Sequence, residues 1–370
     1  MAYDKELFRS ILSQDSTSGK ERELGLWLYE HLEAPEKELM EVGDGTLNLF
    51  LRWGTPRVVF CTHMDTVPPY IAPTCEGGVW RGRGTCDAKG QLISMYTACK
   101  QLEAAGCTGF GLLILAGEET GSWGAKAFSK TGFKAPYLIV GEPTENKMVS
   151  ASKGTKSYDL TFRGTAFHSG YPQYGTSAVD LFNEFYNKLK NTHFPVDPEL
   201  GETTWNIGLL HSDNPQNILS PELTCRLYFR TTFASDALVE DFMAELVKRR
   251  HQAPGRARDF ASGRLVSGKI VEGEKAAGVY EGAEPPVLTV TPRGGDRPAE
   301  YFTLPGINSA PVAFGSDAPH LIGFEHKAIC GPGTIRVAHR DDEFITEADI
   351  DTAVSQYIQM YRKIQDVINQ

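Results

Sequence analysis

The sequence predicts an α/β protein with a central, mostly parallel sheet, into which a smaller α+β domain is inserted. Three observations carry this reading. The short apolar runs Val58–Cys61, Phe110–Ala116 and Tyr137–Val140 alternate with helical segments, as buried parallel strands do. Beyond Lys153-Gly154 the runs give way to polar–apolar alternation, the mark of strands with one exposed face. The length of 370 residues exceeds one typical domain and suggests two.

Leu7, Ile11, Leu24, Leu28 and Leu32 recur at helical spacing on either side of Ser16-Thr17-Ser18-Gly19, which predicts two helices joined by a turn, the second from about Lys20. Strands are expected over Asn48–Trp53 and Arg57–Cys61, followed by the glycine-rich stretch Gly77–Gly84. A helix over Lys89–Ala105 ends at Gly106, a common helix-stop residue. Phe110–Ala116 and Tyr137–Val140 read as strands flanking a short helix at Ala125–Lys130. In the second domain the expected order is strand Thr155–Arg163, helix Ser177–Lys190, strands Trp205–Leu210 and Leu223–Thr232, then helix Ala237–Arg250. Pro311–Gly315 and Ala328–Cys330 return as strands of the first domain, and Glu347–Ile368 is its last helix. The expected domains are therefore 1–153 and 281–370 for the larger one and 154–280 for the insert.

Lys and Arg total 37 against 47 Asp and Glu, a net charge of −10, which argues against nucleic acid or an anionic membrane as the main partner. No apolar run approaches the roughly 20 residues of a membrane span. The start Met1-Ala2-Tyr3-Asp4-Lys5-Glu6 lacks the basic and apolar regions of a signal peptide, so a cytoplasmic location is expected. The seven cysteines include no C-x-x-C pair and read as reduced thiols. For Cys61 and Cys86, near the ligand candidates below, a small buried hydrophobe is favoured over a metal ligand.

The chemistry gathers at strand ends. In Val58-Val59-Phe60-Cys61-Thr62-His63-Met64-Asp65, the His and Asp at i and i+2 leave the same face of a strand. That suits a metal-binding imidazole whose other nitrogen is held by a carboxylate, although H-x-D alone more often marks a solvated strand end. Asp87 follows Gly82-Arg83-Gly84, Glu118-Glu119 follow the run ending at Ala116, Glu142 follows the run ending at Val140, and His339 comes late. Acids and histidines at successive strand ends of one sheet converge on the crevice where such folds bind ligands. A nucleotide site is disfavoured, because Gly82-x-Gly84 leads to Asp87 rather than a third glycine and no P-loop is present.

These five motifs, in this order from Val58 to Phe344, resemble the M20 family of di-zinc metallopeptidases and deacylases. The resemblance implies a zinc-peptidase-like catalytic domain and an inserted lid domain that commonly dimerises, hence a homodimer. It implies that His63 and Glu142 bind one Zn2+ and Glu119 and His339 a second, with Asp87 bridging them; Co2+ or Mn2+ can substitute. Asp65 would hold His63, and Glu118 would be the general base for a metal-held hydroxide. The Asp87–Ala88 peptide would be cis. His168, in Ala166-Phe167-His168-Ser169-Gly170, would stabilise an oxyanion, while Arg230, Asn217, Ser316 and Gly333 fall where the family contacts substrate.

The stretch Cys330–Phe344 looks most like acetylornithine deacetylases and succinyl-diaminopimelate desuccinylases, so the leading expectation is amide hydrolysis of a small N-acyl amino acid. The alternative is a carboxypeptidase or dipeptidase using the same residues. A binding protein that kept the fold without catalysis would lack a ligand or the base, and none is missing.

Overall fold

The computed structural model describes residues 3–43, 45–250, 263–266, 269–272 and 287–369. The chain forms two compact units: Met1–Ala151, Ala299–Val312 and Ser316–Gln370 make the first, Ser152–Pro298 and Ala313–Gly315 the second.

In chain order the first unit begins with helices α1 (Lys5–Leu12) and α2 (Arg22–His31) and strands β1 (Glu36–Gly43), β2 (Thr46–Trp53), β3 (Val58–His63), β4 (Thr74–Glu76) and β5 (Val79–Arg81). It continues through α3 (Lys89–Ala104), β6 (Phe110–Leu115), α4 (Trp123–Ser129), β7 (Ala135–Val140) and β8 (Met148–Ser152). The inserted unit contains β9 (Gly154–Arg163), α5 (Ala178–Lys190), β10 (Thr204–His211), β11 (Glu222–Thr231), α6 (Asp236–Arg250), β12 (Gly263–Val266), β13 (Lys269–Glu272) and β14 (Val287–Gly294). The chain then returns through β15 (Ala299–Glu300), β16 (Ser309–Val312), β17 (Phe324–Ile329), β18 (Phe344–Thr346) and α7 (Glu347–Ile368).

The central sheet of the first unit has the order β1-β2-β6-β3-β7-β17. From β6 to β17 the pairings are parallel; β1 and β2 are antiparallel additions at one edge. β3 lies inside this sheet and is buried along its whole length. Its side chains alternate between two cores: Val58 and Phe60 pack with residues of α1, α2, α3 and α7, whereas Val59 and Cys61 pack with Ala125 and Phe128 of α4. Both faces are therefore covered, which is why the strand reads as unbroken apolar sequence. Thr346 caps α7 in a reciprocal pair with Asp349, which sets the start of that helix at Glu347.

The inserted unit is a four-stranded antiparallel sheet in the order β10-β11-β9-β14. Tyr158, Leu160 and Phe162 of β9 and Leu227 and Phe229 of β11 pack against Phe185 of α5 and Val239 and Met243 of α6. On the opposite face Asp159 pairs with Arg226 at 2.7 Å.

The short strands β4, β5, β12, β13, β15 and β18 were not expected from sequence, and three longer strands also differ from the expectation. β1 is rich in Glu and Lys and was not anticipated; as an edge strand it needs only one paired side, where charge is tolerated. β8 was also not anticipated; it forms a small sheet with β15 and β16. β14 corrects the domain boundary. The return expected at 281 falls outside the described residues, but β14 pairs with β9, so the insert runs to Pro298. Pro292 argues against a strand from sequence, yet β14 is an edge strand, where a missing N–H is tolerated.

Candidate metal centre

The parallel strands β6, β3 and β7 are neighbours and end at one edge of the sheet. His63 closes β3, Glu118 and Glu119 follow β6, and Glu142 follows β7. Asp87 precedes α3, and His339 lies in the turn before β18. All of these residues belong to the first unit.

Asp87 is the hub of the arrangement. Its Oδ1 lies 3.1 Å from His63 Nε2, and its Oδ2 lies 3.3 Å from His339 Nε2. His339 Nε2 is also 3.0 Å from Glu119 Oε1. The ligand atoms of His63, Asp87 and Glu142 lie within 4.8 Å of one another, as do those of Asp87, Glu119 and His339. Asp87 is common to both sets. His63, Glu118 and Glu119 form a third such group, so Glu118 sits beside the same cluster.

Charge and burial act together here. Burial opposes a charged His63, but Asp65 and Asp87 outweigh it and raise its pKa well above the ordinary value. Asp87 and Glu119 push His339 up to about 10. Burial would raise Asp87, yet hydrogen bonds from His339 and His63 hold it below its usual range. Burial lifts Glu118 and Glu142 well above the ordinary carboxyl value, and neighbouring carboxylates add to the shift. Glu142 Oε1 is buried without a hydrogen-bond partner. Such an oxygen is costly unless a cation or donor meets it. Imidazole nitrogens and carboxylate oxygens are the donors that zinc accepts, so these residues fit a pair of divalent ions.

Asp65 is fully buried and does more than face His63. His63 Nδ1 lies 3.4 Å from Asp65 Oδ1 and 3.0 Å from its backbone oxygen. The same carboxylate accepts the Glu118 N–H at 3.1 Å, the Glu119 N–H at 3.2 Å and the Ser18 hydroxyl at 2.9 Å.

A second support was not anticipated. Glu343 accepts the N–H groups of Cys86 and Asp87 at 2.9 and 3.0 Å and pairs with Arg83 at 2.7 Å, with both side chains buried. Arg83 also donates to the carbonyl of Arg340 at 3.0 Å, tying the His339 turn to the Asp87 loop. The only sequence signal was the placement of these two charges, one in the glycine-rich approach to Asp87 and one four residues after His339. The Asp87–Ala88 peptide is cis. His339 itself has φ +65°, a left-handed conformation that costs energy and recurs at functional sites.

The remaining predicted residues are not among these ligand groups. Gly333 has φ +79°, and a Cβ there would stand 2.5 Å from Cys86 Sγ, so the position needs glycine for packing as well as conformation. The Ser316 hydroxyl accepts the Ala318 N–H at 3.3 Å. Its neighbour Asp317 was not singled out, yet it is the buried group there, pushed up to about 6 by burial, with Oδ1 unpartnered. His168, Asn217 and Arg230 belong to the inserted unit. His168 is exposed, and its segment meets the Asn217 loop through the Ser169 N–H to Asn217 carbonyl bond at 2.9 Å. Arg230 has no ion pair among the described residues; its guanidinium lies over the Tyr228 ring at 5.1 Å. All seven cysteines are free, and neither Cys61 nor Cys86 joins a ligand group among the described residues. No described helix is long and apolar enough to cross a membrane.

A carboxylate shared by two His-and-acid sets, with the half-buried Glu118 beside them, fits a metal-dependent hydrolase. Residues 59–363 match the model of peptidase family M20/M25/M40, and the chain belongs to that family. A probable carboxypeptidase of Aspergillus fumigatus is 27% identical over 402 residues, covering 94% of this chain and 84% of that protein. Among solved structures, a tripeptidase from Staphylococcus aureus superposes with TM-score 0.70 at 18% identity, covering 96% of this chain and 95% of the other. An M20 family metallo-carboxypeptidase from Sulfolobus solfataricus gives TM-score 0.68 at 16% identity, covering 97% and 99%. None of these three carries the name of an acetylornithine deacetylase or a succinyl-diaminopimelate desuccinylase, and the expected closeness to those enzymes is not shown.

Proposed function

We propose that this protein is a di-metal peptidase of carboxypeptidase or dipeptidase type, which hydrolyses the amide bond of a short peptide. The observation that carries the reading is Asp87, whose two carboxylate oxygens face two histidines that each belong to a separate ligand set. His63 and Glu142 would hold one ion, Glu119 and His339 the other, and Asp87 both. Zn2+ is the proposed occupant, with Co2+ or Mn2+ as substitutes. When bound, such ions polarise a carbonyl and lower the pKa of water.

The chain's own residues do the rest. Glu118, whose carboxyl burial has raised, takes a proton from the attacking water and returns it to the leaving nitrogen, so the base is regenerated in each cycle. Asp65 keeps His63 in one tautomer through its Nδ1 and fixes the backbone of Glu118 and Glu119. His168 of the inserted unit is assigned to the oxyanion, Arg230 to a substrate carboxylate through its planar fork, and Asn217, Ser316 and Gly333 to further contacts. A homodimer through the inserted unit belongs to the same reading. The names of the A. fumigatus, S. aureus and S. solfataricus proteins favour a peptidase over the N-acyl amino acid deacylase expected from sequence.

The deciding experiment is turnover by metal-depleted protein with Zn2+, Co2+ or Mn2+ restored, on dipeptides, tripeptides, N-blocked dipeptides and N-acetyl and N-succinyl amino acids. Metal-dependent cleavage of peptides supports the proposal, and N-blocked dipeptides identify a carboxypeptidase. Hydrolysis confined to N-acyl amino acids returns the assignment to a deacylase.

A further inference from the structure

The loop that carries Glu118 is held from behind by a segment far away in sequence. Two successive backbone N–H groups, of Glu118 and Glu119, donate to one buried carboxylate, and a second buried carboxylate interacts with the Gly117 N–H just before them. Asp65 is the first, and takes its two N–H groups at 3.1 and 3.2 Å. Glu21 is the other carboxylate: it is 1% exposed and accepts the Gly19 N–H at 2.5 Å; burial raises its pKa, and the N–H groups of Gly19 and Gly117 partly oppose that shift. Ser18, in the same turn as Gly19, donates its hydroxyl to Asp65 Oδ2 at 2.9 Å. One turn between α1 and α2 thus reaches both carboxylates.

That turn is locked to the end of β3. The Ser16 hydroxyl donates to the Met64 carbonyl at 2.7 Å, and Ser18 and Thr66 exchange backbone bonds with this strand end and turn, Ser18 N–H to Thr66 O and Thr66 N–H to Ser16 O, each at 3.0 Å. The buried Lys89, two residues after Asp87, donates to the Gln14 carbonyl at 2.8 Å. Buried Leu24 and Leu28 pin the helix that follows.

We propose that Ser18 and Glu21 are positioning residues for the candidate centre: through Asp65 and Gly117 they set the backbone plane of Gly117–Glu119, and with it the direction in which the Glu118 carboxylate leaves the loop. Adjacent side chains diverge, so a small rotation of these peptide planes moves Glu118 and Glu119 in opposite senses. Displacement of a base by about 1 Å can cost about 100-fold in rate. The consequence for turnover rests on the proposed function; the positional claim does not.

The test uses the full chain with Ser18→Ala, Ser18→Thr and Glu21→Gln, and three readouts. Amide hydrogen exchange over residues 116–120, measured on metal-free protein, should accelerate about tenfold in Ser18→Ala and Glu21→Gln, while β3 and β6 keep their protection. Zinc content should equal that of the unmodified chain. On a cleaved peptide, kcat should fall about 10–100-fold with KM changed less than about twofold, and Ser18→Thr, which keeps the hydroxyl, should restore both exchange and kcat. Unchanged exchange at 116–120, or acceleration spread equally over the whole chain, overturns the proposal. If Glu21→Gln fails to fold, Ser18→Ala decides. If the unmodified chain cleaves nothing, the proposed function fails, and the exchange data still judge this inference.

Discussion

The two halves of the candidate metal centre share Asp87 and differ in almost everything else. His63, Asp87 and Glu142 are all buried, whereas in the other half the side chain of His339 is 51% exposed. His63 closes a buried strand in the middle of the sheet, while His339 sits on a turn in left-handed conformation. The buried half depends on desolvation: Glu142 keeps an unpartnered oxygen that only a cation or donor can satisfy. The open half depends on one imidazole, whose Nε2 faces the carboxylates of Asp87 and Glu119. Charges interact more strongly where water is excluded. The buried half should therefore hold its ion more tightly, and the open half should exchange its ion and face the substrate.

The largest test removes what the halves share. Asp87→Asn is expected to empty both positions and abolish turnover, read by metal analysis after dialysis; retention of one ion would mean that the halves are not joined through Asp87. Glu118→Gln is expected to leave both ions in place and lower kcat by about 10²–10⁴-fold, which separates the chemistry from metal binding. Near-normal turnover would take Glu118 out of the base role.

Glu343→Gln tests the support under the shared residue. It leaves Arg83 buried without its counter-charge and should cost about 3–5 kcal/mol in denaturant unfolding. A loss below about 1 kcal/mol would mean that water reaches this pair. The finest comparison sets Glu142→Ala against His339→Ala in zinc titrations. Each should lose one ion, and the ion left in His339→Ala, which is in the buried half, should bind at least about tenfold more tightly than the one left in Glu142→Ala. Equal affinities would erase the distinction between the halves.

The same contrast of buried and open explains what could be read in advance. β3, β6 and β7 are buried on both faces, so their sequences are continuous apolar runs with clear ends, and the acids placed just beyond those ends were visible as candidates. α7 occupies its expected range, Glu347–Ile368, and the reciprocal cap of Thr346 and Asp349 sets its start. β1 and β14 were not legible, because an edge strand tolerates Glu, Lys and Pro that a central strand does not. The supporting residues Ser18, Glu21, Arg83 and Glu343 left almost no trace: Glu21 and Glu343 accept backbone N–H groups, Ser18 donates to the Asp65 carboxylate and Arg83 to Glu343 and the Arg340 carbonyl, and no motif records such partners.

By itself the sequence determined the family, the fold class and the candidate ligand residues, because strand burial and metal chemistry both restrict which residues can stand where. Only the tertiary structure decided that Asp87 faces two histidines, that one half of the centre is dry and the other open, and that a turn near the N-terminus braces the Glu118 loop. Those facts depend on distances between residues up to about 250 positions apart in the chain, such as His339 and Asp87, and such distances exist only once the sheet has brought the strand ends together.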